Sequence, residues 1–122
     1  MAGTLNARLN ASYSNTNGDS DSFSVSGQPI TITGSARLGV STELIPTGSI
    51  SLTKSSITTI GYVYVNNLDV SGSIEIGPDG TNWPILLKPN DFVWFKTNNW
   101  TDVYAKTISG SSSLINYAMY SV

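Results

Sequence analysis

The sequence predicts an all-β protein, a single antiparallel β-sandwich of jelly-roll type spanning residues 1–122. Three observations carry this reading. Apolar residues alternate with small polar ones in short runs, the period of a strand with one buried face. No stretch repeats at the period of an amphipathic helix. Turn-forming residues interrupt the chain at spacings of roughly ten residues, which suits a sandwich or small barrel.

Leu9, Ala11 and Tyr13 alternate and mark the first clear strand. Residues 14–27, Ser14 to Gly27, form the most polar stretch and are expected to make an exposed loop or hairpin, with Phe23 and Val25 alternating inside it. Ile30 and Ile32 alternate with Thr31 and Thr33, and Ile50 and Leu52 continue the pattern. A long run follows from Ile57 to Val65, then the pair Ile74 and Ile76. Asp91 to Lys96 carries Phe92, Val93, Trp94 and Phe95. Val103 and Ala105 alternate, and Leu114, Ile115, Tyr117, Met119 and Tyr120 form the last run. Together these give about nine or ten strands rich in β-branched and aromatic residues.

Between them lie Asn17-Gly18-Asp19, Ser26-Gly27-Gln28-Pro29, Ile45-Pro46-Thr47-Gly48, Gly77-Pro78-Asp79-Gly80 and Lys88-Pro89-Asn90-Asp91. Each is turn chemistry. Pro89-Asn90 predicts a type I or type II turn in which Asn90 can adopt positive φ. No linker, charge run or repeat divides the 122 residues, enough chain to bury roughly two-thirds of its surface around one core.

Composition narrows the function. Charged residues make up 11 % of the chain and the net charge is −2, so no basic field is present to grip nucleic acid. With no His, the usual general base and metal ligand is missing; with no Cys, so are thiolate nucleophiles, thiolate metal sites and disulfides. Met1 to Arg8 lack the basic start and apolar run of a signal peptide, and no apolar stretch has membrane-spanning length. The expectation is a soluble product made in a cytoplasm, with no membrane partner and no cofactor.

Asn15, Asn17, Asp19 and Asp21 place oxygens at alternate positions, as calcium loops do, but without the glycine and distant glutamate of that motif. They are expected to form a polar turn, with no metal. Glu43 and Glu75 are the only glutamates, and Glu75 between Ile74 and Ile76 projects away from the apolar face of its strand, so a paired-carboxylate site is not expected. Neither a Gly-x-Ser-x-Gly elbow nor a phosphate loop occurs. The expectation is a protein that is not an enzyme.

The aromatic residues point to interaction. Tyr62-Val63-Tyr64-Val65 gives one aromatic and one aliphatic face, and Phe92-Val93-Trp94-Phe95 is apolar on both. A sandwich strand of that kind must bury its outer face against something, here another subunit or a host surface. Tyr62, Tyr64, Trp83, Trp94 and Trp100 are the candidate protein-interface residues. The same tryptophans serve equally as core filling, and their stacking on sugar rings is the lesser alternative.

From Tyr62 onward, Asn67-Leu68-Asp69, Ile74-Glu75-Ile76-Gly77, Leu87-Lys88-Pro89-Asn90-Asp91 and Val103-Tyr104-Ala105-Lys106 stand in order. In this half the chain resembles small β-sandwich virion proteins of tailed bacteriophages. It departs from their pattern at Asn90, where glycine is more usual; asparagine is the best substitute at positive φ. Residues 1–60 match no motif of the kind. The resemblance implies a bacteriophage structural protein, specifically a capsid cement or decoration protein on the outer surface of the virion. Such a protein binds between major capsid subunits and with itself, as a homotrimer, and stabilises the expanded shell. The alternatives are a tail, baseplate or head-fibre component, and a carbohydrate-binding module or receptor-binding head.

Overall fold

The structure, a computed structural model, describes residues 3–27, 30–32, 37–108 and 112–121, with 31–32 and 37–40 as backbone only. It is all-β with antiparallel pairing throughout, and has two compact units, Met1–Thr33 and Gly34–Val122. Nothing in the sequence marks that division with a linker.

The first unit holds two two-stranded antiparallel sheets, the longer of them a β2–β3 ribbon. Strands β2 (Arg8–Ser14) and β3 (Ser20–Ser26) pair along their whole length, from Arg8 opposite Ser26 to Ser14 opposite Ser20. β1 (Gly3–Leu5) and β4 (Ile30–Ile32) form a second two-stranded antiparallel sheet, from Gly3 opposite Ile32 to Leu5 opposite Ile30. Of the stretch 14–27, expected to be an exposed loop or hairpin, Ser14 ends the outgoing strand of this β2–β3 hairpin and Ser20–Ser26 is its return strand. Its turn is held by Asn15, whose Oδ1 accepts from the Asn17 and Asp19 amides, both at 3.0 Å. Gly18 takes φ = 90°, a left-handed value open to glycine. Gln28 and Pro29 of the expected Ser26–Pro29 turn, and Thr33, lie outside the described residues.

The second unit is an eight-stranded jelly roll. One sheet has the order β10 (Phe92–Trp100), β7 (Ile60–Asn67), β12 (Ser112–Ser121), β5 (Arg37–Pro46). The other runs β6 (Ile50–Ser51), β11 (Tyr104–Thr107), β8 (Ile74–Gly77), β9 (Ile85–Leu87). Counted within the unit, these are strands 6-3-8-1 facing 2-7-4-5, the double Greek key of a jelly roll.

Alternation explains the core. Val63 and Val65 of β7, Ile115, Tyr117 and Met119 of β12 and Ile45 of β5 point inward from the first sheet. Ile74, Ile76, Ala105 and Leu87 meet them from the second. Each large aliphatic side chain buried this way contributes about 1.5–3 kcal/mol. Two buried hydroxyls add polar ties: Thr107 Oγ1 donates to the Ile45 carbonyl at 2.6 Å, and Tyr117 lies 3.0 Å from the Thr53 carbonyl oxygen.

Three strands lie outside the alternating runs read from sequence: β1, β5 and β9. β5 mixes Gly39, Ser41, Thr42 and Glu43 among its apolar residues and ends on Pro46; proline is tolerated there because β5 lies at a sheet edge. The Lys88–Asp91 turn is type II. The Asp91 amide donates to the Lys88 carbonyl at 3.0 Å, Pro89 occupies the second position, and Asn90 has φ = 66°.

Candidate functional site

The outward face of the β10-β7-β12-β5 sheet gathers the aromatic residues. In β7 the valines face the core, so Tyr62, Tyr64 and Asn66 face out. The register sets Phe92, Asn66 and Asn116 in one row, Trp94, Tyr64 and Ala118 in the next, and Lys96, Tyr62 and Tyr120 in the third. Trp94 stacks on its diagonal neighbour Tyr62, with ring centroids 5.7 Å apart and planes 13° apart. Tyr120 meets Trp94 edge-on at 6.3 Å. Lys96 Nζ lies 6.0 Å from the centre of the Tyr62 ring. Ala118, also on this face, is buried among these larger neighbours. Leu114 and Leu44, paired across β12 and β5, extend the face and are exposed, as is Phe92. Asn116 Oδ1 is buried there and meets no donor among the described residues.

Of the five residues read as an interface, the structure brings Tyr62, Tyr64 and Trp94 together and separates the other two. A register shift between Lys96 and Trp100 interrupts the β10–β7 ladder. Within it Asn99 takes φ = 56°, and Thr97 Oγ1 donates to the Ile60 carbonyl. The shift takes Trp100 away from Trp94 and packs it against the core, edge-on to Phe95 at 5.4 Å. Trp83 belongs to the other sheet. It lies in the β8–β9 loop with Lys106 Nζ 4.7 Å from its ring centroid, and Lys106 also faces Glu75 at 3.9 Å.

Phe92, already part of the doubly apolar Phe92–Phe95 run, completes the face with Lys96, Leu114 and Tyr120, none of them among the five candidate residues. Their signal is parity: Phe92 and Lys96 share the side of Trp94, and Tyr120 alternates with the inward Met119. What parity alone does not reveal is that β7 pairs with both β10 and β12.

The Asn67–Asp69 and Gly77–Gly80 segments play structural parts here. Asn67 is fully buried. Its Nδ2 donates to the Gly72 carbonyl at 2.8 Å and is shared between the Leu87 and Lys88 carbonyls, each at 3.2 Å. Its Oδ1 accepts from the Asp69 amide at 3.1 Å. Asp69 in turn accepts from the Val70 and Ser71 amides and the Ser113 hydroxyl. The hydrogen bond from the Ser71 amide, ahead of that from Ser113, holds its carboxyl below the usual range. Asp79 caps its loop through the Thr81 and Asn82 amides at 2.8 and 2.7 Å and the Asn82 side chain at 2.9 Å. These bonds, the Asn82 side chain first, hold Asp79 far below the ordinary carboxylate value.

The two glutamates lie on different sheets. Glu75 faces outward beside Lys106, while Glu43 Oε2 lies 3.1 Å from the Tyr117 hydroxyl. Burial, and then the nearby Glu43 charge, push the Tyr117 phenol up to about 12. Among the described residues no three His, Cys, Asp or Glu side chains converge as metal ligands would. In comparison with known proteins, no family model and no curated protein matches the chain.

Proposed function

We propose that this chain is a structural component of a tailed-bacteriophage particle, a cement or decoration protein that seats on the outside of the expanded capsid between major capsid subunits. The observation that carries the reading is the outward aromatic face of the β10-β7-β12-β5 sheet. Phe92 and Trp94 are exposed there, Tyr62, Tyr64 and Tyr120 are half-buried beside them, and Lys96 brings a charge to the third row. Aromatic residues in a low-charge setting have the make-up of a protein-interface core. The unpartnered Asn116 Oδ1 adds an acceptor that a docked backbone amide would satisfy. Copies that bind only the expanded shell stabilise it by mass action.

The test is to titrate the purified full chain onto emptied, expanded capsids and onto unexpanded precursor shells. Saturable binding to the expanded form alone, with a higher disruption temperature, is expected. Trp94→Ser should weaken it at least about tenfold. Failure to bind, with few copies per purified virion, would favour the tail, baseplate or head-fibre placement. A carbohydrate-binding role is the second reading, favoured by the Trp94 ring stacked beside Tyr62. It calls instead for glycan binding in solution with quenched tryptophan emission.

A further inference from the structure

The ribbon of the first unit is amphipathic in a way that its own ladder does not require. One face carries Arg8, Asn10, Ser12 and Ser14 on β2 and Ser20, Ser22, Ser24 and Ser26 on β3. The other carries three cross-strand rows: Leu9 with Val25, Ala11 with Phe23, and Tyr13 with Asp21. That second face lies open: Leu9 is 44 %, Tyr13 58 %, Phe23 56 % and Val25 55 % exposed. A lone two-stranded ribbon is marginal in water and needs its apolar face covered.

We propose that the occupant is a second copy of this chain: ribbons of neighbouring copies pack apolar face to apolar face about an axis running along the strands. This symmetry sets β2 of one copy over β3 of the next. Each row is then self-complementary. Leu9 meets Val25 of the partner copy, and small Ala11 receives large Phe23. The Tyr13 hydroxyl, which accepts from Asn15 Nδ2 at 3.4 Å and keeps its own proton to give, donates to Asp21 of the partner copy. An axis across the strands would instead set Phe23 on Phe23 and press the Asp21 carboxylate onto Val25, a buried charge without a partner. Two or three ribbons satisfy the favoured pairing, and the symmetry closes in either case.

The size of the face sets the strength. Four large side chains of roughly 200 Å² each, about half exposed, offer about 400 Å² per ribbon, half the usual 800 Å² per partner. Association through one such contact is therefore weak and depends on concentration. The inference stands on the ribbon alone and does not depend on the particle reading.

Sedimentation velocity on the full chain, from about 1 μM to about 1 mM, tests it. A dimer or trimer is expected at the upper end, and the Phe23→Ser/Val25→Ser variant should raise the dissociation constant at least about tenfold while the jelly roll melts at an unchanged temperature. Because that variant can also loosen the ribbon itself, a size swap provides the second measurement. Ala11→Phe and Phe23→Ala should each weaken association, and the double variant should restore it. A monomer at every concentration overturns the proposal. So does an oligomer that survives the ribbon variants or is dissolved only by Trp94→Ser.

Discussion

Asn67 donates through its buried side-chain amide to the Gly72 carbonyl at 2.8 Å, and its own backbone is bonded to both Asn90 and Asp91. One residue at the end of β7 thereby fastens the loop that follows it, the end of β9 and the turn leading into β10. The sheet face that gathers Tyr62, Tyr64 and Trp94 depends on that junction, because the turn sets where β10 begins its pairing with β7.

Replacing Asn67 with Ala should strip the donors from three carbonyls in an interior site. Losing a buried partner costs about 1–3 kcal/mol, and the expected loss is near the upper end, about 3 kcal/mol. Urea denaturation with an unchanged slope would register it.

At Gly77 a side chain has no room. A Cβ there would sit 1.8 Å from the Asn82 carbonyl oxygen, a backbone atom. Gly77→Ala should cost about 2 kcal/mol through forced backbone movement. Because Trp83 follows Asn82 directly, its emission spectrum should shift in the folded variant.

The Asn90 turn separates conformation from contact. At φ = 66°, Asn90→Gly should leave stability within about 0.5 kcal/mol, whereas a β-branched Asn90→Val should lose about 1–2 kcal/mol. Thermal melts of the two variants side by side decide this.

Alkaline stability should follow Tyr117. Its phenol is raised from the ordinary 10.0 to about 12, so the folded state favours the neutral form. The resulting stability is fully present below pH 10 and lost as pH rises through about 12, a change of roughly 2–3 kcal/mol. Urea midpoints at pH 9 and pH 11.5 should fall more steeply for the wild type than for Tyr117→Phe. On the acid side the sign reverses. Asp69 and Asp102 have lowered values, Asp102 chiefly through its hydrogen bond with Lys54. Their contribution holds above the ordinary carboxylate value and is lost as pH falls below it.

The tryptophans should divide by role. Trp100→Ala removes a ring packed against the core and should cost about 3 kcal/mol. Trp94→Ala removes an outward ring stacked on Tyr62 and should cost about 1 kcal/mol. Similar losses at both positions would contradict the placement of Trp100 behind the β10 register shift.

Much of the jelly roll is legible in the chain because alternation and turn residues are local. Val63 and Val65 go inward because side chains alternate along a strand, and Pro89-Asn90 makes its turn because proline presets one dihedral and asparagine tolerates the next. β5 is not legible: its polar residues become a strand only because β12 pairs with it. For the same reason Trp83, Trp94 and Trp100 look equivalent in the text but not in space. Sequence alone determined strand class, turn chemistry and a low-charge aromatic composition, all properties of short segments. The tertiary structure alone decided which tyrosines and tryptophans share a face, because pairing between β7, β10 and β12 joins segments far apart in the chain and a single register shift redirects one ring to the core.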